Sequence, residues 1–193
     1  MYKSALILGL TLLSTSARAD SVAEIIQAAL SDYNGKNYSA TVENLSMALQ
    51  LANQEKSQKL AKILPSKIAG WTADEVEYNY AQSLMYGGSV NIERYYYKED
   101  ANIKLTLQSD SPQSQKMLAM LANPLLIKNR NSQMTVVNGN RGAIAFDDYH
   151  KNGQLDFVVA DKYVVSLEGY QVSRSELKKF ADKLSLTKLK QFK

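Results

Sequence analysis

The sequence predicts an α+β fold, in which an antiparallel sheet of about six to seven strands is flanked by helices and preceded by a helical hairpin. Between Asp20 and Leu64 apolar residues recur at helical spacing, whereas after Trp71 they alternate with polar residues, as in half-buried strands. A capped amphipathic helix follows the last strand pattern. We therefore expect three segments: a signal peptide over 1–19, a helical hairpin over 20–64 and a sheet domain over 65–193.

The first 19 residues have the three parts of a secretory signal peptide. Lys3 supplies the positive charge, residues 5–13 form the apolar core, and Ala17 and Ala19 place small side chains before a cleavage site at Asp20. This apolar run is too short to cross a hydrocarbon core of ~30 Å. No later apolar segment reaches that length, so we expect export to the periplasm or the medium as a soluble protein.

Composition removes several classes of function. The net charge is +4, from 23 basic and 19 acidic residues of interspersed sign, so no basic stripe favours nucleic acid. Cysteine is absent, which excludes disulfides, thiol nucleophiles and thiolate metal sites. An exported domain without disulfides favours a Gram-negative periplasm.

Two amphipathic segments joined at Asn34-Gly35 predict the hairpin. The first has apolar residues at helical spacing from Val22 to Leu30. The second carries apolar residues on one face, at Tyr38, Val42, Leu45, Leu49 and Ala52. Pro65 and Gly70 interrupt the helical pattern, so the domain boundary is placed within residues 64–71.

The second domain is predicted from alternating patterns. Strand patterns cover residues 72–84, 90–98, 103–108 and 133–138, then a three-strand meander with apolar positions Ile144 and Phe146, Leu155, Phe157 and Val159, and Tyr163, Val165 and Leu167. Asn138-Gly139 predicts a tight hairpin turn because both residues tolerate positive φ. Helices are expected over residues 113–122 and after a capping box at Ser173 and Glu176.

Two partial resemblances follow from these residues. The segment GKNYSATVENLSMALQL resembles the second half of a tetratricopeptide repeat, with Gly35, Tyr38, Val42, Leu45, Ala48, Leu49 and Leu51 at its turn and packing positions. It departs at Thr41, where the repeat has alanine, and it occurs once, whereas arrays need about three units. A single hairpin is therefore expected, either as an amphipathic element that docks on the sheet domain or as a small peptide-binding groove.

Residues 71–191 resemble the small α+β sandwich of PsbP-like and Mog1-like proteins in the order of their elements. The closing pattern matches as well: a strand, Gly169-Tyr170, then a capped helix from Ser173. The resemblance implies an antiparallel sheet with helices after the early strands and after the last one. Such domains include accessory subunits and ligand-binding modules, so the fold alone does not assign an activity.

His150 is the single histidine and follows Asp147 and Asp148 in a turn, with Asp156 and Asp161 close in sequence. This grouping could serve a general base or a metal ion, but no second histidine lies at ligand spacing and GxSxG is absent. We predict no catalytic residue, metal ligand or cofactor, and keep a hydrolase or metal-binding protein centred on His150 as the alternative.

Aromatic residues supply the candidate binding site. Six of the twelve tyrosines lie between Tyr78 and Tyr97, and three consecutive tyrosines must place rings on both faces of one strand. Cross-strand packing and an exposed contact patch are both open. The candidate binding residues are Tyr78, Tyr80, Tyr95, Tyr97 and Trp71, although Trp71 also suits the core.

These observations predict an exported, non-catalytic binding or accessory protein. Its partner would be a protein or a small ligand, and a specific form of the prediction is an immunity or inhibitor protein that masks another exported protein.

Overall fold

A computed structural model describes residues 16–80, 88–128 and 132–192. The described helices are α1 (Ser16–Asn34), α2 (Tyr38–Ala61), α3 (Pro112–Ala122), α4 (Pro124–Lys128), α5 (Arg174–Asp182) and α6 (Leu186–Gln191). The chain divides into two compact units, and the division falls between Ala52 and Asn53, inside α2. The apolar part of the predicted signal peptide lies outside the described residues, so cleavage before Asp20 stays a prediction.

The first unit contains the predicted helical hairpin. Gly35 donates its N–H to Ser31 O over 2.9 Å, and Lys36 adopts a φ of 59°, which reverses the chain between α1 and α2. Asn44 of α2 donates to Asp32 of α1 over 2.8 Å. The apolar face predicted for α2 is largely exposed, for example at Val42. The α2 residues that are buried in this unit are Thr41 and Ala48.

The second unit is built on one antiparallel sheet, which confirms the predicted fold class. Its described strands are β1 (Thr72–Ala73), β2 (Glu77–Tyr78), β3 (Val90–Lys98), β4 (Ala101–Ser109), β5 (Gln133–Val137), β6 (Asn140–Asp147), β7 (Asn152–Val159) and β8 (Tyr163–Tyr170). The strand order is β1-β3-β4-β8-β7-β6-β5, and β2 also pairs with β3. Asn138 and Gly139 turn the chain between β5 and β6 with φ of 47° and 77°, as predicted.

The sequence patterns mislead at two places. Residues 72–84 do not form one strand, because only the two-residue strands β1 and β2 pair with β3; residues 81–87 lie outside the described part. The helix predicted over residues 113–122 does end at Ala122, but the sequence pattern missed the short helix α4 that begins directly afterwards. Pro124 is compatible with a new helix start because a proline at the first helical position loses no hydrogen bond.

The core lies on one face of the sheet, under α5, α6 and the last turn of α2. Leu60 is fully buried there, and the Phe180 ring lies 4.8 Å from the Tyr96 ring and 5.6 Å from the Trp71 ring. The Ser173 and Glu176 capping box forms as predicted and starts α5 at the edge of this core. The side chain of each of these two residues accepts a hydrogen bond from the backbone N–H of the other, which fixes the direction in which α5 leaves the sheet.

The opposite face of the sheet is covered over one half only. There, α3 and α4 bury Leu121 and Ile127 against Ala143 and Val158. No described helix of the second unit covers the other half. This uneven covering leaves part of a regular sheet surface facing solvent.

Candidate functional site

The uncovered half of the sheet forms a continuous surface that we call the open face. Two rows of directly paired residues cross it: Tyr95, Lys104, Glu168 and Gln154 in one, and Tyr97, Asn102, Tyr170 and Asn152 in the other. Because neighbouring strands place these residues opposite one another, their side chains share one face. Asp156 and Ser166 begin the next row towards α3.

An ion pair crosses the centre of the open face. Lys104 Nζ lies 3.1 Å from Glu168 Oε2, and the Lys104 side chain is about one quarter exposed, at 24%. Burial alone would lower the pKa of Lys104, but the hydrogen bond and charge of Glu168 outweigh that effect and raise the pKa. Lys104 therefore stays charged and is held in one position.

Asp156 is a carboxyl group of this surface whose pKa is raised. Ser166 Oγ donates to it over 2.6 Å, and Gln154 Nε2 lies 3.0 Å from both of its carboxylate oxygens. Burial raises the pKa of Asp156, the charge of Glu168 adds to that rise, and the two hydrogen bonds oppose it. Gln154, Asp156 and Ser166 thus form a hydrogen-bonded network beside the ion pair, which we call the ladder.

Tyrosines border these polar groups. The rings of Tyr95 and Tyr97 are nearly parallel, with 6.4 Å between their centroids. Tyr97 is 41% exposed and Tyr170, two strands away in the same row, is 51% exposed. Asn102 lies between them in the pairing register. Amphipathic rings that flank hydrogen-bonding side chains are typical of recognition surfaces.

The open face lines a groove of about 930 Å³. Its lining includes three carboxylates, from Asp147, Asp148 and Glu168, against one cation, Lys104. Lys104 pairs with Glu168 and Arg174 pairs with Asp148, so Asp147 leaves the groove with a small excess of negative charge, although the whole chain carries a net charge of +4. Its electrostatics favour a partner that presents cationic groups.

The five predicted binding residues do not form one cluster. Tyr95 and Tyr97 lie on the open face, whereas Trp71 packs against Phe180 in the core. Tyr78 packs against the core near β3, and its ring stacks on Tyr80 with centroids 5.4 Å apart. Of the five, only Tyr95 lines the groove, and Tyr97 lies beside it on the open face.

Sequence reasoning missed the polar members of the site. Lys104, Glu168, Gln154 and Tyr170 were not predicted as binding residues, and Asp156 was considered only as a possible partner of His150. Strand alternation marks all of them as lying away from the core. The missing information was strand order: β7 and β8 form a hairpin of the predicted meander, but β4 becomes a neighbour of β8 only through long-range pairing.

His150 lies in the exposed turn between β6 and β7. Its Nδ1 is 2.6 Å from Asp147 Oδ2, and Asp147 also accepts the backbone N–H groups of Tyr149 and His150. The hydrogen bond from His150, followed by these backbone bonds, lowers the pKa of Asp147. Asp148 pairs instead with Arg174 over 3.2 Å. Each aspartate of the turn is thus occupied by a local partner.

Within residues 16–80, 88–128 and 132–192, no three histidine, cysteine or acidic side chains are grouped so that they could hold a metal ion. Over the same residues, no helix combines the length and the apolar character that crossing a bilayer requires.

Comparisons with protein-family models, curated proteins and solved structures find no match to this chain. The function is therefore argued from the geometry of the open face.

Proposed function

We propose that this protein is an exported, non-catalytic binding or accessory protein whose open face holds a partner. The observation that carries the proposal is the uncovered half of the sheet, where ordered polar side chains lie between exposed tyrosines. A sheet half that served packing alone would be apolar and covered, like the half under α3 and α4.

The open face is prepared for binding before a partner arrives. Lys104 and Glu168 already hold each other, and Gln154, Ser166 and Asp156 form a connected ladder. Ordered side chains lose less conformational entropy on binding, which favours affinity. Tyr97 and Tyr170 add exposed ring surface that a partner can bury.

The proposed partner is a protein or small ligand with cationic and hydrogen-bonding groups. The small excess of negative charge in the groove supports this choice, since complementary charge raises association rates and sets orientation. An immunity or inhibitor protein is one form of this function, in which the partner is another exported protein. The proposed PsbP-like or Mog1-like character of residues 71–191 is compatible with such an accessory role.

Capture from a periplasmic extract tests the open face directly. The tagged wild-type protein is compared with Tyr97→Ser combined with Glu168→Gln, and with the control Tyr149→Ser, which alters an 89% exposed tyrosine outside the pairing rows. We expect one partner at constant stoichiometry with the wild type and the control, and its loss with the double variant. A partner retained by the double variant would contradict the site.

The export and non-catalytic parts of the proposal have separate tests. Cells that express the full chain should yield a periplasmic form beginning at Asp20, which amino-terminal sequencing detects. His150→Ala should leave partner capture unchanged, because His150 contacts Asp147 in an exposed turn rather than the central row. Loss of function in that variant would favour the alternative hydrolase or metal-binding protein.

A further inference from the structure

The edge strand β5 has no protection against pairing with another strand. It lies at one end of the strand order, and β6 is its only partner strand among the described residues. Its sequence QMTVV contains no charge, proline or glycine. Natural sheet edges usually carry charges, prolines or bulges that prevent association, so an edge without them is typically covered.

The backbone groups available at this edge belong to Met134 and Val136. The two-residue turn at Asn138-Gly139 makes Val137 and Asn140 a hydrogen-bonded pair. Hydrogen-bonded and non-bonded pairs alternate along an antiparallel ladder. Met134 and Val136 therefore direct their N–H and C=O groups away from β6.

The side chains of the same two residues are apolar and exposed. Met134 is 42% and Val136 is 69% exposed. The neighbouring helix α4 adds Leu125 and Leu126, which are 74% and 48% exposed. The edge thus combines free backbone groups with an apolar patch, which are the two requirements for strand addition.

We propose that β5 pairs antiparallel with β5 of a second copy of this chain and joins the two sheets. With Thr135 on the two-fold axis, Met134 of one copy faces Val136 of the other, and both pairs are hydrogen-bonded pairs. Every outward backbone group of the two residues is then satisfied. No charge opposes a charge across the axis, because the strand has none. The partner is thus a second copy because the strand complements itself in hydrogen bonding, side-chain type and charge.

Sedimentation velocity on the protein purified from cells expressing the full chain, over roughly 1 to 100 μM, tests this dimer. Val136→Pro removes only an outward N–H group and should weaken self-association at least about tenfold. Val136→Glu keeps the backbone donor but places a charge opposite Met134, and it should weaken association to a similar extent. In that variant the cross-strand neighbour Arg141 offers the glutamate a partner within the monomer.

Val136→Thr is the matched control, since it keeps both the branched side chain and the N–H group, and it should still dimerise. Circular dichroism verifies that each variant is folded. A wild-type monomer across the whole range overturns the proposal, and so does a dimer that survives both disruptive variants. The proposal is also overturned if the Met134 and Val136 amides become protected from hydrogen exchange only when a different protein is present. The occupant of the edge would then not be a second copy.

Discussion

Tyr96 shows how one buried side chain ties the sheet to the segment that precedes it. Its ring is fully buried, and its hydroxyl donates to Pro65 O over 2.7 Å. Burial raises the pKa of Tyr96 to about 12, although the nearby Arg94 opposes the rise. The phenol therefore stays protonated in the folded state at a pH where the unfolded chain ionises.

This difference predicts alkaline unfolding. Between pH 10 and 12 the unfolded state releases the Tyr96 proton first, so stability falls as pH rises, by about 1.4 kcal/mol per pH unit from this group. Tyr96→Phe should flatten the pH dependence of the free energy of unfolding in that window. Tyr149→Phe, at an exposed position, should keep the wild-type slope. Chemical denaturation at several pH values measures both, and equal slopes in all three proteins would refute the assignment.

The raised pKa of Asp156 predicts that stability also falls as pH rises, here in the acidic range. Its folded pKa is raised above the ordinary carboxyl value of 3.8, so the unfolded state deprotonates first as pH rises. The stability that this group contributes is fully present at pH values below 3.8, and it declines as pH rises through the folded pKa. Asp156→Asn should remove the decline and be at least as stable as the wild type at neutral pH, as measured by urea denaturation.

Asp161→Asn is the control for that comparison, because the Asp161 side chain is exposed and forms an exposed ion pair with Arg141. An Asp156→Asn variant that is less stable at neutral pH and keeps the wild-type slope would show that the ladder depends on the charged carboxylate.

At the scale of elements, the two serines that begin α5 and α6 provide a matched pair. Ser173 Oγ accepts the N–H of Glu176 over 3.1 Å, whereas Ser185 forms no side-chain cap bond. Ser173→Ala should lower the free energy of unfolding by about 1 kcal/mol. Ser185→Ala should change it little. Thermal unfolding of both variants checks the prediction, which fails if the two substitutions cost the same.

The elements also differ in how far the sequence determines them. The meander β6–β8, the turn at Asn138-Gly139 and the α5 cap were predicted because alternation, turn chemistry and capping are local signals. Residues 72–84 carry alternation too, but within the described part, 72–80, only two short pieces pair with β3. Pairing requires a partner at the right distance, which no local pattern encodes.

The candidate site could be predicted only in part, because local sequence patterns do not determine how distant segments pack. Three consecutive tyrosines guarantee rings on both faces of β3, and Tyr96 indeed lies in the core while Tyr97 is exposed. Which outer half stays uncovered depends on where α3 and α4 pack against Ala143 and Val158. That choice is made by contacts between distant segments, so the sequence could not show that Tyr95 and Tyr97 would lie on the uncovered half, although it did indicate that Trp71 suits the core.

At the scale of the whole molecule, the last turns of α2 belong to the sheet unit. Leu60, Ala61 and Leu64 are buried in its core, although the sequence placed the domain boundary after Leu64. A fragment of residues 53–193 should therefore unfold cooperatively. A fragment of residues 65–193 should lose at least about 3 kcal/mol, because it leaves a cavity where these side chains pack. Urea denaturation of the two fragments checks this, and equal stability would restore the boundary predicted from the sequence.

The half-covered sheet has a consequence for how the protein can change over time. Along β4, β7 and β8, core residues alternate with residues of the open face, so each strand carries two separate sets of positions. Substitutions in the outer set alter the contact surface while Leu105, Leu155 and Leu167 keep the interior filled. Recognition can therefore diverge among descendants of this sequence without a new fold, and the same face offers positions where a different specificity can be installed.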